Sequence, residues 1–137
     1  MNREEPMLDA RPKVLYLDDN PDSRTVIDSF LILLSIRVVK AHDPAEARVR
    51  VGKDQLDLIL LDSYFGDEHG LKVCRELCAI YPGRPLIFYT DPVNNGQREK
   101  AIEAGATEFV SEPHFNPLLN SLGRYVNLSK YIRSAAY

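Results

Sequence analysis

Two adjacent carboxylates follow an apolar segment near the start of the chain. The segment VLYL occupies residues 14–17, and Asp18 and Asp19 come directly after it. Like charges this close raise each other's proton affinity and are costly to bury unless a cation is near. The pair therefore indicates a cation site. A second interpretation stays open, because Asn20 and Pro21 form a common helix start that needs at most one acid.

Polar residues also follow three later apolar segments. They are Asp62 after residues 58–61, Thr90 after residues 86–89, and Ser111 with Glu112 after residues 108–110. Oxygen ligands from separate strands suit Mg²⁺, which prefers carboxylates, water and phosphate oxygens. Beside a cation, the Asp62 carboxylate can attack phosphorus and form an acyl phosphate. The Thr90 hydroxyl can then donate a hydrogen bond to a phosphoryl oxygen.

The elements that position these residues alternate along the chain. Short runs rich in branched and aromatic residues predict strands that are buried on both faces: VLYL, IRVVKA at 36–41, LILL at 58–61, LIFY at 86–89 and EFV at 108–110. Helices alternating with strands require a parallel sheet covered on both sides. The fold class is therefore a doubly wound α/β domain, in which functional groups gather at the carboxyl ends of the strands.

Apolar residues at helical spacing predict the intervening helices. They are Val26, Ile27, Phe30, Leu31 and Leu34; Leu71, Cys74, Leu77, Cys78 and Tyr81; Ala101 and Ile102 before a capping Gly105; and Leu118, Leu119, Leu122 and Val126 after a start at Asn116 and Pro117. A short helix is predicted over 44–51, and the last helix can run on through Ile132. Cys74 and Cys78 are expected to be buried core thiols.

Length and composition restrict the class of protein. A chain of 137 residues fits one domain, and a net charge of −3 argues against nucleic-acid binding. No apolar run is long enough to span a bilayer, and the N-terminus is not signal-like, so a cytoplasmic location is expected. Residues 1–11 are expected to form a flexible tail.

The motifs taken together resemble the receiver domain of bacterial two-component response regulators. The resemblance is carried by the acid pair at 18–19, LLD ending at Asp62, the loop SYFGDEHGL, FYT ending at Thr90, and GATEFVSEPHF at 105–115. It covers roughly residues 12–127 and implies a flavodoxin-like (βα)5 fold with strand order 2-1-3-4-5. Residues 128–137 would extend the last helix or form a linker.

The resemblance also implies roles for individual residues. Asp62 would accept a phosphoryl group from a sensor histidine kinase or phosphotransfer protein, and Mg²⁺ would be bound by Asp18, Asp19, Asp62 and the backbone carbonyl of Tyr64. Thr90 would contact the phosphoryl group, and Phe109 would be the aromatic residue whose rotamer changes on activation. An effector protein or a second copy of the chain would bind the face formed by helix 4, strand 5 and helix 5. Such a domain is a signalling phosphoacceptor rather than a conventional enzyme.

Three positions depart from the family pattern. Glu112 stands before Pro113, where the family has a lysine that pairs with the phosphoryl group, and Arg98 is a candidate replacement cation. Asp91 follows Thr90, where a small residue leaves access to the acceptor. Gly66 stands where proline is usual, so a more mobile loop is expected.

Three functions remain open. The first is a receiver phosphorylated at Asp62, and the second is a degenerate receiver that acts through protein contacts without phosphate. The third is an aspartyl phosphohydrolase, which ranks low because Tyr64 occupies the position of that class's second Asp. The segment LDDNPD contains no glycine-rich loop, which argues against a nucleotide site.

Overall fold

The computed structural model describes residues 10–18, 20–62, 66–90, 96–111 and 115–128. Within these ranges, five strands alternate with five helices. The strands are β1 (Lys13–Leu17), β2 (Arg37–Ala41), β3 (Leu58–Leu61), β4 (Leu86–Thr90) and β5 (Glu108–Ser111). The helices are α1 (Pro21–Leu33), α2 (Pro44–Lys53), α3 (Gly66–Ile80), α4 (Gln97–Glu103) and α5 (Phe115–Tyr125).

The strands form one parallel sheet in the order β2-β1-β3-β4-β5. All four residues of β3 and all five of β4 are buried, as expected for central strands covered on both faces. The predicted fold class and strand order are confirmed. Because β3 is the central strand, the residue that follows it emerges in the middle of the carboxyl edge.

Alternate strand residues supply two separate cores. One core packs Leu15, Leu61 and Phe88 against α2, α3 and α4, and includes Leu71, Cys74 and Leu77. The other packs Tyr16, Leu60 and Tyr89 against α1 and α5, and includes Ile27, Leu31, Leu118 and Leu122. The period-2 alternation of side chains across a strand explains this division.

Two residues predicted to lie on apolar helix faces are instead exposed. The exposed fraction is 52% for Val26 and 45% for Ile102. Each lies next to a residue that does enter the core, Ile27 or Ala101, and a helix turns about 100° per residue. The apolar faces of α1 and α4 are therefore narrower than their sequences indicate.

The predicted start of the last helix is wrong by a small margin. The helix begins at Phe115 rather than after a cap at Asn116, so Pro117 lies inside the first turn. A proline is tolerated there because the first amides of a helix have no intrahelical acceptor. Phe115, the first residue of α5, stacks on Phe30 of α1, with ring centroids 4.9 Å apart. The helix ends at Tyr125 and residues 126–128 do not continue it, so the prediction that the helix runs on through Ile132 is wrong; residues 129–132 lie outside the described residues.

Candidate functional site

Buried polar side chains lie at the carboxyl ends of three neighbouring strands. Asp18 follows β1, Asp62 follows β3 and Thr90 ends β4, and their exposed fractions are 0%, 2% and 3%. The register pairs Leu17 with Leu61, and the Asp62 amide donates to the carbonyl of Leu17 at 2.9 Å. Because adjacent strands lie about 4.8 Å apart, the backbones of the two acids are neighbours. The predicted convergence of these residues is confirmed.

Two donors hold the carboxylate of Asp18. The Tyr16 hydroxyl donates to Oδ2 at 2.6 Å, and the backbone amide of Asn20 donates to Oδ1 at 2.9 Å. Tyr16 is itself fully buried, and charge-assisted bonds of this kind are among the stronger hydrogen bonds in proteins. The orientation of Asp18 is therefore fixed by the protein's own groups.

The helix-start interpretation of Asn20 is also confirmed. Its side-chain oxygen accepts hydrogen bonds from the amides of Asp22 at 2.9 Å and Ser23 at 3.2 Å, and Pro21 is the first residue of α1. The helix cap and the acid site thus share one turn, and the two interpretations of this segment are compatible.

Arg24 brings a cation to the same turn. Its guanidinium nitrogen Nη1 donates to the backbone carbonyl of Asp18 at 3.1 Å from a partly buried position. The positive charge therefore lies on the first turns of α1, beside the backbone of Asp18. Arg24 was not predicted as a site residue, although its position one turn after the Asn20 cap is a usable signal.

On β5, the aromatic residue Phe109 is held on both sides. It pairs in register with Phe88, and the two rings stack with centroids 5.9 Å apart and planes inclined by 14°. The Arg98 guanidinium lies over Phe109, with Cζ 5.6 Å from the ring centroid. Only 6% of Phe109 is exposed, and Thr90 and Ser111 pair two residues further along the same two strands. Arg98, the candidate replacement cation, therefore packs on the aromatic ring.

A hydrogen-bonded carboxylate ties β5 to α5. Glu108 accepts bonds from Ser121 at 2.8 Å, from Arg124 at 2.6 and 2.8 Å, and from Tyr125 at 2.8 Å. The Arg124 bonds, together with those from Ser121 and Tyr125, lower the pKa of Glu108 from 4.5 to about 2, against the effect of burial. The pattern EFV predicts only a strand, because a hydrogen-bond partner 13 to 17 residues away on a helix leaves no local signal.

A groove of about 490 Å³ lies between α4, β5 and α5. Its lining includes Arg98, Phe109, Ser111, Asn120 and Arg124. Glu108 also lines it but is already bonded to Arg124, so Arg98 gives the groove a positive charge. This groove coincides with the predicted output face.

The predicted metal site is described only in part. Asp18 and Asp62 supply two buried, adjacent carboxylates, which fit the oxygen-ligand preference of Mg²⁺. Asp19 and Tyr64, the other predicted ligands, lie outside the described residues, as do Asp91 and Glu112. Among the described residues, no group of three or more His, Cys, Asp or Glu could hold a metal ion. A complete ligand set therefore needs the undescribed positions as well.

The structure defines a doubly wound α/β domain with acids at the carboxyl edge of its sheet. Residues 14–122 match the model of the response regulator receiver domain, so the chain belongs to this family of two-component signalling domains. No helix in the described part of the chain is long and apolar enough to cross a membrane.

Curated relatives match most of this chain and a minor part of their own length. Response regulator PilR of Pseudomonas aeruginosa is 28% identical over 104 residues, which are 76% of this chain and 23% of PilR. Protein PetR of Rhodobacter capsulatus is 30% identical over 106 residues, which are 77% of this chain and 44% of PetR. The chain thus spans less than half the length of these relatives.

Solved structures agree with the fold. Chemotaxis protein CheY4 of Vibrio cholerae superposes with a TM-score of 0.76 at 24% identity, covering 85% of this chain and all of CheY4. The non-phosphorylated HemR receiver domain of Leptospira biflexa gives a TM-score of 0.74 at 25% identity, and the match covers 87% of this chain and 97% of the HemR domain. These structures support a receiver domain that occupies most of the chain.

Proposed function

We propose that this receiver domain acts in the cytoplasm and accepts a phosphoryl group on Asp62, with Mg²⁺, from a sensor histidine kinase or phosphotransfer protein. The observation that carries the proposal is the burial of Asp62 at the end of the central strand, beside Asp18 and one strand from Thr90. Burying a carboxylate is costly unless it is hydrogen-bonded, paired or bound to a cation, and functional groups of doubly wound sheets gather at the strand ends. The domain would occupy residues 12–127, between a flexible tail at 1–11 and a linker at 128–137.

The transfer needs one nucleophile and one leaving group. A carboxylate oxygen of Asp62 forms a bond to phosphorus while the phosphorus–nitrogen bond of the donor phosphohistidine breaks, and the released imidazole takes up a proton. The Thr90 hydroxyl would donate a hydrogen bond to a phosphoryl oxygen. The carboxylate of Asp18 remains oriented throughout, because Tyr16 and Asn20 hold it.

Mg²⁺ would be held by Asp18 and Asp62 from the described residues, together with Asp19 and the carbonyl of Tyr64. When bound, it supplies positive charge that offsets the negative charge of the phosphoryl group and the acids. The tethers on Asp18 reduce the reorganisation that metal binding requires, since one ligand already has a fixed direction.

Glu112 is expected to weaken the phosphorylated state. Two unit charges about 4 Å apart interact by roughly 4 kcal/mol at an effective dielectric near 20, so exchanging attraction for repulsion can cost up to about twice that before screening. Asp91 would add bulk and negative charge at the entrance. Arg98 packs on Phe109, which supports a role in holding that ring rather than in pairing with the phosphoryl group.

The groove between α4, β5 and α5 favours a second candidate function, a phosphate-independent binding module. The four hydrogen bonds to Glu108 fix its shape without any contribution from Asp62. An effector protein or a second copy of the chain would occupy this face. In this alternative, substitution of Asp62 leaves partner binding unchanged.

Intact mass after incubation with Mg²⁺ and acetyl phosphate tests the first proposal. Wild-type protein should gain one phosphoryl group, and Asp62→Asn should gain none. Asp57→Asn is a matched control, because Asp57 precedes β3 at the opposite edge, where it accepts from the Lys13 amide at 2.9 Å. This variant should be phosphorylated like the wild type.

Two results would contradict phosphoacceptor function at Asp62. One is a wild-type protein that binds Mg²⁺ and remains folded by circular dichroism yet gains no mass. The other is an equal gain in Asp62→Asn. The first result would favour the binding module and make Glu112→Lys the next variant to phosphorylate.

A further inference from the structure

The Tyr16 hydroxyl lies between the acid site and the first turn of α1. It donates to Oδ2 of Asp18 at 2.6 Å, and it makes a longer contact of 3.4 Å with the carbonyl oxygen of Ser23. Ser23 is the third residue of α1. A tyrosine hydroxyl carries one hydrogen, so it cannot donate a short bond to both acceptors at once. The hydroxyl thus has a near acceptor in the acid site and a second acceptor in the helix.

Strand β1 and the core between the sheet and α1 determine where this hydroxyl lies. Tyr16 and Asp18 are two residues apart at the end of the strand, so their side chains point to the same face. Tyr16 is fully buried in the core that contains Ile27 and Leu31 of α1. Side chains in a close-packed core have little freedom to move, so the hydroxyl oxygen of Tyr16 is a fixed point beside the acid.

The nearer acceptor indicates a role beyond satisfying the tyrosine itself. A buried hydroxyl needs a partner, and a backbone carbonyl of the helix is sufficient for that purpose. The structure instead places the hydroxyl closest to Asp18, within the range of about 2.5–2.7 Å that is typical of hydroxyl–carboxylate bonds. The backbone amide of Asn20 donates to the other carboxylate oxygen at 2.9 Å. Because the two donors hold different oxygens, together they fix the plane of the carboxylate.

The first turn of α1 is joined to the acid site by further contacts. The Asn20 side chain accepts from the Ser23 amide at 3.2 Å, and Arg24 donates to the backbone carbonyl of Asp18 at 3.1 Å. The Ser23 carbonyl that Tyr16 contacts belongs to this same turn. A change in the contacts of the Tyr16 hydroxyl therefore acts directly on the start of the helix.

We propose that Tyr16 is a positioning residue of the metal site, which holds Asp18 for Mg²⁺ and transmits occupancy of the site to the first turn of α1. The proposal rests on the Mg²⁺ binding proposed above. A carboxylate oxygen can accept a hydrogen bond and bind a cation together, and such bonds orient metal ligands. When a cation binds Asp18, Oδ2 becomes a weaker acceptor. The hydroxyl bond to Asp18 then lengthens, and the bond to Ser23 shortens.

Calorimetric titration of the full chain with MgCl₂, without a phosphodonor, tests the positioning role. Tyr16→Phe keeps the ring and removes the hydroxyl. Its Kd for Mg²⁺ should be at least about tenfold higher than that of the wild type, since loss of a group that orients a metal ligand typically costs about 10- to 100-fold in affinity.

Tyr125→Phe is the matched control for this titration. The Tyr125 hydroxyl also donates to a carboxylate, that of Glu108, at 2.8 Å. Glu108 is the first residue of β5 and so lies at the amino edge of the sheet, opposite the acid site. Tyr125→Phe should therefore bind Mg²⁺ with the affinity of the wild type, and an equal loss of affinity in both variants would overturn the positioning role.

Carbon-13 NMR of the wild type during the same titration tests the transmission to α1. The carbonyl carbon of Ser23 should move downfield as Mg²⁺ binds, because a shorter hydrogen bond to a carbonyl oxygen deshields its carbon. In Tyr16→Phe at saturating MgCl₂ this change should be absent. The Asp62 amide should shift in both proteins and so report that the metal is bound. A tyrosine that only stabilises the core would leave the Ser23 signal unmoved.

The outcomes separate this proposal from the phosphoacceptor function. Equal Mg²⁺ affinity in folded Tyr16→Phe and wild type would overturn the positioning role. An unmoved Ser23 carbonyl in saturated wild type would overturn the transmission to α1, and that measurement holds even if the variant fails to fold. Wild type that binds no Mg²⁺ would overturn the proposal as a whole. Wild type that shows both Mg²⁺ effects but gains no phosphoryl group would support the role of Tyr16 and contradict phosphorylation of Asp62.

Discussion

The carboxylate of Glu108 joins β5 to α5, and its neutralisation should weaken that junction. Glu108→Gln keeps the shape of the side chain but removes the charge that Arg124, Ser121 and Tyr125 stabilise. It also places an amide NH₂ near the Arg124 guanidinium, where two donors face each other. We expect the variant to fold and to be less stable than the wild type.

The pKa of Glu108 gives the magnitude and the pH range. The fall in the pKa of Glu108 from 4.5 to about 2 corresponds to about 3 kcal/mol of folding stability if the whole shift is converted into free energy. The Arg124 side chain is 57% exposed, so solvent screening reduces this contribution to about 1–2 kcal/mol. Because the folded-state pKa is the lower one, the contribution is complete above pH 4.5 and disappears as the pH falls toward 2.

Urea unfolding followed by circular dichroism measures the difference. At pH 7 the urea midpoint of Glu108→Gln should be lower than that of the wild type, with the same dependence on urea concentration. The difference in midpoint between the two proteins should disappear between pH 4.5 and 2. Glu103→Gln removes the same charge from an exposed position on α4 and should change stability little. A gap that is absent at pH 7, or that persists unchanged at pH 2, would refute the assigned role of Glu108.

Three further substitutions test the packing around the site, each by urea unfolding. Tyr16→Phe removes the hydroxyl bonded to Asp18 and should cost about 1.5–3 kcal/mol, whereas a neutral result would contradict that bond. Asn20→Ala removes the cap of α1 and should cost about 1 kcal/mol, with α1 amides that exchange faster; unchanged exchange would argue against the cap. Gly105→Ala should lower the free energy of unfolding by about 2–3 kcal/mol, because Gly105 has a positive φ and the added Cβ would contact Cys78. Adding Cys78→Ala to this variant should recover part of the loss. If the effects of the two substitutions on the free energy of unfolding are strictly additive, the contact is unimportant.

The fold was predictable because the central strands leave an unambiguous sequence pattern. Runs such as 58–61 and 86–89 are apolar at every position, which is the signature of strands buried on both faces, and the residues that follow them mark the strand ends. Helix faces were predicted less well. Val26 is apolar and lies beside Ile27, yet only tertiary packing decides which of the two enters the core.

The principal site residues were predictable for the same reason, whereas their partners were not. Asp62 and Thr90 follow buried strands, so their location depends on strand ends alone. The contact of Arg98 with Phe109 depends on how α4 lies against β5, which no local pattern encodes. The Tyr16–Asp18 bond is an intermediate case, since side chains two apart on a strand share a face and a buried tyrosine hydroxyl needs a partner.

The segment from Tyr16 to Ser23 shows why a helix start and an acid site occur together. The Asn20 side chain fixes the first turn of α1 by accepting from two amides, and this places the Asn20 amide so that it donates to Asp18. The cap therefore orients the carboxylate indirectly, and the Tyr16 hydroxyl supplies the second constraint. Capping uses the side-chain oxygen of Asn20, whereas the bond to Asp18 uses its backbone amide, so the two roles do not compete. Loss of the cap should therefore loosen the acid site as well as the helix.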